Sequence, residues 1–214
     1  PVIMTYRETA STIEDEAWAV FVAQKDPHKW LSVVEGYLRD KKKEAAPPNA
    51  EFLARCHAHL MNYIKAIESK RPAEALGCAL ITERLDAETG QSDAEARELA
   101  IGMLKKAEDP VALIEALEDT AIWDLALAAL ESARPTEVAE MAVRLFPNAP
   151  SSLLDDLAKL ARKGEKLLEL QPHIDAAVDD PVSHPEIIYW LCKGSAQFDG
   201  LKIIESTELF TRII

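Results

Sequence analysis

Glycine is scarce in this chain, with 7 among 214 residues, and that scarcity disfavours a turn-rich β architecture. No run of about 18 or more apolar residues occurs, so no membrane span is expected. The opening Pro1-Val-Ile-Met-Thr-Tyr-Arg7 lacks both the basic start and the small-residue cleavage site of a secretory signal. The cysteines are only three, Cys56, Cys78 and Cys192, odd in number and far apart. A secreted disulfide framework needs an even, closer-spaced set, so a reducing cytoplasm is the expected location. Positive charge is also short, with 24 Lys and Arg against 37 Asp and Glu and a net charge of −13. Phosphate neutralisation needs clustered cations, so direct nucleic-acid binding is not expected. The one basic run, Arg39-Asp-Lys41-Lys42-Lys43, ends a helix, where cations suit the negative end of the dipole. Acidity fits a basic protein partner and equally fits simple solubility.

What is present is helical periodicity. Ile122, Leu125, Ala126, Ala129 and Leu130 fall at i, i+3, i+4, i+7 and i+8. Val138, Met141, Ala142, Leu145 and Phe146 repeat the spacing, and Leu153, Leu157, Leu160 and Ala161 approximate it. Earlier, Trp30, Leu31, Val34, Tyr37 and Leu38 mark one helix, and Phe52, Leu53, Cys56, Leu60, Tyr63, Ile64 and Ile67 a longer one. Starts are signalled by two capping boxes, Ser11-Thr-Ile-Glu14 and Ser92-Asp-Ala-Glu95. Asn49 reads as a cap, and Asp26-Pro27, Arg71-Pro72 and Asp109-Pro110 as first-turn prolines. Pro47-Pro48 makes a loop inside the fold.

In the later half, helices are expected near 111–119, 121–133, 136–146, 151–162, 164–179 and 185–193. Helices this short are marginal alone and must bury their stripes on neighbours. The expected fold is therefore all-α, an irregular stack of antiparallel helical hairpins, an α-α superhelix of HEAT- or TPR-like kind, in a single domain over 1–214. Hairpin starts near Pro110, Pro135 and Gly164 are unequal and closer than the roughly 34 residues of a tetratricopeptide unit. The first residue is not methionine, and the apolar Leu209-Phe-Thr-Arg-Ile-Ile214 has no polar tail, which reads as a piece of a longer protein.

Candidate chemistry is thin. His57 and His59 are two apart on a helix and point to different faces, whereas paired metal ligands want i, i+3 or i, i+4, and Cys56 is no better placed. His173 and His184 lie in or beside proline-containing loops without a carboxylate pattern that would make them bases. No Gly-x-Ser-x-Gly, no glycine-rich phosphate loop and no catalytic cysteine signature occurs. The acidic pairs in Glu14-Asp15-Glu16, Glu118-Asp119 and Asp155-Asp156 read as solvated surface. Trp18, Trp30, Trp123 and Trp190 lie in apolar helical patterns and read as core. The sequence thus offers no catalytic residue, no cofactor-binding residue, no cofactor and no metal ligand, and an enzyme is not expected.

The segment His184-Pro-Glu-Ile-Ile-Tyr-Trp190-Leu-Cys-Lys-Gly194, with Phe198 and Ile204-Glu-Ser-Thr-Glu-Leu-Phe210-Thr-Arg-Ile-Ile214, carries a likeness. It resembles the helical N-terminal regions fused to Gre-type transcription elongation factors in some bacteria, through a Pro-Glu-x-x-x-Trp-Leu-x-Lys helix followed by an x-Leu-Phe-x-x-Ile/Leu helix. The match is strongest over about the last thirty residues. The resemblance implies an accessory helical domain of a protein acting on bacterial RNA polymerase. Gre factors place an acidic-tipped coiled coil and its metal in the polymerase and carry an FKBP-like domain. Neither feature is visible here, so the family's catalytic carboxylates have no counterpart. The expectation is a non-catalytic interaction domain in transcription elongation, partnered by RNA polymerase. A generic helical-repeat adaptor for another protein or peptide is the alternative.

Overall fold

Caps and prolines set the helix starts in the computed structural model, which describes residues 13–24, 27–89, 94–117 and 119–193. Asn49 accepts from the backbone N–H groups of Glu51 and Phe52 at 2.9 and 3.2 Å, satisfying two donors that a helix leaves without internal partners. Asp109 does the same for Val111 and Ala112, both at 3.1 Å. Pro27, Pro72, Pro110 and Pro185 each occupy the first helical position, where a missing N–H removes no bond. The two capping boxes, Asp26 and everything after Lys193 lie in part or whole outside the described residues.

Eleven α-helices and no strand occur among the described residues, so the fold is all-α as the periodicity predicts. The chain divides into two compact units, residues 1–97 and 98–214. In the first, α1 (Ile13–Ala23) pairs with α2 (Pro27–Lys43), and α3 (Ala50–Ile67) pairs with α4 (Pro72–Thr89). The two hairpins are packed together, α1 on α3 and α2 on α4. Phe21, Trp30, Val34, Phe52, Leu60, Ile64, Leu76 and Leu80 fill the space between them. Tyr37 ties three segments: its hydroxyl donates to Glu14 at 3.0 Å and accepts the Asn49 N–H at 2.8 Å, while Lys41 reaches Glu14 at 2.9 Å.

The division falls within α5 (Glu95–Lys106). Beyond it, α6 (Pro110–Glu115) packs on α7 (Trp123–Ala133), α8 (Val138–Leu145) on α9 (Leu154–Lys163), and α10 (Gln171–Asp179) on α11 (Pro185–Cys192). The first two hairpins start close to Pro110 and Pro135, where the sequence places them, whereas the third begins at Gln171 and Gly164 instead caps the end of α9. Their neighbours are linked by polar contacts, Arg144 to Asp109, Asn148 to Glu115, Lys163 to Glu131, Ser151 N–H to Glu186 and Trp190 to Asp155. Each link joins residues 32 to 35 positions apart, a more regular separation than the hairpin starts imply.

Three expectations need correction. The stretch 164–179 is not one helix: a 3-10 turn over Leu167–Leu170 precedes α10. Pro172 cannot donate to the Leu168 carbonyl, so an α-helix must begin anew around it. His173 therefore belongs to a helix and not to a loop. On α7, Leu125 is only half-buried, and Leu127 with Trp123 joins Ile122, Ala126, Ala129 and Leu130 inside.

Two helices end on the same device. At the end of α9 the Lys166 N–H bonds the Ala161 carbonyl at 2.8 Å and the Glu165 N–H bonds that of Arg162 at 3.1 Å, with Glu165 at φ 60°. At the end of α2 the Ala46 and Ala45 N–H groups bond Lys41 and Lys42 at 3.0 and 3.2 Å, with Ala45 at φ 51°. Both are Schellman closures in which the left-handed position, usually glycine, carries a side chain. Gly164 lies one residue before that position for another reason. A Cβ there would collide with the Ala139 side chain, so its bare Cα is what lets α9 end against α8.

Candidate functional site

Ala75, Ala79, Thr82 and Asp86 follow one another along α4 at helical spacing, and all four are buried. A carboxylate on such a stripe must find a partner, because burying an unpaired charge is expensive. Asp86, 5% exposed, meets His57 of α3, whose Nδ1 lies 3.0 Å from its Oδ1. Thr82 donates its hydroxyl proton to the Cys78 carbonyl at 2.7 Å. Cys56, next to His57, completes a small pocket with Val34, Leu53, Leu60 and Leu85. The pocket holds about 10 Å³, room for one water molecule and not for an organic substrate.

Burial pushes the Cys56 thiol up to about 12, so at neutral pH it is a protonated, unreactive group. Cys78 is buried as well and Cys192 half-buried, and none of the three is in a disulfide. Among the described residues no group of three or more His, Cys, Asp or Glu side chains is placed to hold a metal ion. What the His57–Asp86 pair does in this geometry is join α3 to α4 through a shielded polar contact.

The two histidines of α3 do face different ways. His59 is turned to α1 and α2, where the rings of Trp18, Phe21 and Trp30 surround it edge-on at 6.1, 5.5 and 5.4 Å. Arg55 lies over the Trp18 ring at 4.2 Å. His173 is half-buried, its ring 6.5 Å from that of Phe146, and burial, with a smaller contribution from His184, lowers its pKa. His184 directly precedes α11.

Trp30, Trp123 and Trp190 are core residues, at 2%, 4% and 1% exposure, while Trp18 is half-buried. The acidic pairs do more than coat the surface. Glu14 holds Tyr37 and Lys41, Asp119 caps the turn at Thr120–Ile122, and Asp155 accepts the Trp190 indole N–H at 2.7 Å. Asp86 continues the spacing of Ala75, Ala79 and Thr82 on α4, but the sequence alone does not show that this stripe is buried.

No helix among the described residues is long and apolar enough to cross a membrane. Residues 13–214 match the model of a family described as the GreA-associated C-terminal domain. That description says C-terminal, whereas the resemblance at Trp190 drew on N-terminal regions, and a GreA-associated helical domain is common to both. No curated protein and no solved structure matches the chain.

Proposed function

Because the chain belongs to the family of GreA-associated C-terminal domains, we propose that it is a non-catalytic, helical-repeat interaction domain of a Gre-type transcription elongation and transcript-cleavage factor. In this reading it works in the cytoplasm and its partner is RNA polymerase. The observation that carries the reading is the family match itself, which spans all but the first twelve residues.

The physical chemistry supports it. The helices bury their apolar stripes on one another, and the pocket beside His57 has no room for a substrate. A net charge of −13 opposes direct binding to nucleic acid, so the route to a transcription complex runs through protein contacts. The contribution is docking, or tuning of the factor's recruitment.

A second reading, an adaptor for some other protein or peptide, draws on the exposed Leu168, Val182 and Tyr189, apolar side chains that any partner could cover. Backtracked elongation complexes separate the readings. The chain alone is expected to leave the transcript intact and, in excess, to change the rate of cleavage by a Gre-type factor. Transcript shortening by the chain alone would overturn the non-catalytic reading. An unchanged factor-dependent rate would favour the adaptor.

A further inference from the structure

Glycine inside a helix weakens it relative to alanine, because its backbone has more freedom to lose. A crowding neighbour can demand it, as Ala139 demands Gly164. Gly102, in the interior of α5, has no such neighbour. Apart from its own helix backbone and the adjoining residues, no described atom lies within 4 Å of where its Cβ would be. Ala96, Ala100 and Leu104 form the buried stripe of α5 at i, i+4 and i+8, and Gly102 falls on the opposite side. Packing therefore gives no reason for glycine here.

The two ends of α5 are held separately, and Gly102 lies between the holds. In the first turn Glu95 pairs with Lys65 of α3 at 2.8 Å and Arg97 with Glu83 of α4 at 3.7 Å, all within residues 1–97. At the other end Arg134, directly after α7, donates to the carbonyls of Lys105 and Ala107 at 3.1 and 2.8 Å, all within residues 98–214. Each hold belongs to a different compact unit, and one helix runs through both. Hinges are short segments that absorb dihedral change between firmly held parts. Helices bend most readily where a residue such as glycine loosens the ladder.

We infer that α5 is a hinge helix that flexes at Gly102, so that the angle between its first and last turns varies. Bending there strains no side chain at the hinge and leaves the contacts at either end intact. Each unit keeps its own packing while α5 adapts to whatever the domain binds. The inference is independent of the protein's role in transcription.

Pulsed electron-spin distance measurement on the full chain tests it. Spin labels go on Asn62→Cys in α3 and Ser132→Cys in α7, both exposed positions, in a Cys192→Ser background. The expected result is a main distance with a shoulder of bent forms. Gly102→Ala should cut the population of that shoulder about fivefold, the factor by which alanine favours a helix interior over glycine. Gly36→Ala on α2 makes the same exchange where a Cβ would meet only the tip of Arg39, at 3.9 Å, and should leave the distribution unchanged. A single narrow distance before any glycine is replaced would overturn the inference. So would a shoulder that survives Gly102→Ala, or one that Gly36→Ala removes equally well.

Discussion

The Trp190 indole N–H donates to the Asp155 carboxylate at 2.7 Å, joining α11 to the first turn of α9. The ring is 1% exposed and meets Phe146 edge-on at 5.4 Å, so one side chain ties together the last two hairpins described. Asp155→Ala is expected to lower stability by about 1–3 kcal/mol, since it strands a buried donor and removes a carboxylate from a helix start. Urea unfolding followed by tryptophan fluorescence checks this. A loss within the ordinary surface range of about 0.5 kcal/mol would show that the hydrogen bond contributes little.

Glu165 and Ala45 occupy left-handed positions at the ends of α9 and α2, which strain any side chain. Glu165→Gly and Ala45→Gly are each expected to raise stability by about 0.5–1 kcal/mol, the relief of that strain exceeding glycine's extra unfolded-state entropy. Thermal unfolding of the two variants and their combination measures it. The gains should add, because the sites are in different units.

Gly164→Ala should act in the opposite direction, by about 1–3 kcal/mol, through overpacking against Ala139. The double variant Ala139→Gly with Gly164→Ala removes the colliding atom, and the expected result is partial recovery. A double variant no more stable than the single would point to a cause other than this contact.

The thiols should differ in reactivity. Cys56 and Cys78 are buried, and the Cys56 thiol is held up at about 12, so a thiol reagent should modify Cys192 first in the native protein. The sign of the linkage follows from burial. The unfolded Cys56 ionises near its ordinary value of 9.0 while the folded thiol does not, so its stabilising contribution is complete below pH 9 and fades as pH rises towards 12. Stability of Cys56→Ala should fall less steeply than wild type over that window.

Much of the fold was legible in the sequence because short-range physics decides it. Asn49 and Asp109 cap helices through their own next residues, and Val138, Met141, Ala142, Leu145 and Phe146 are all buried as their spacing requires. What was not legible depends on residues far apart. Nothing local marks Asp86 as the partner of His57, or Asp155 as the acceptor for Trp190, since these pairs are 29 and 35 positions apart. The break before α10 is hidden in the sequence because the apolar pattern runs through Pro172 while the hydrogen bonding does not. Gly164 read as a hairpin start, and its close approach to Ala139 is a fact of packing alone.

The central claim is that this helical domain reaches the transcription machinery by protein contact. Titrating fluorescently labelled chain with purified bacterial RNA polymerase, alone and with a Gre-type factor, tests it most directly. The account predicts saturable binding to the polymerase or to its complex with the factor, at one chain per complex. No saturable binding to either, up to roughly 100 μM, where even weak transient contacts register, would contradict it.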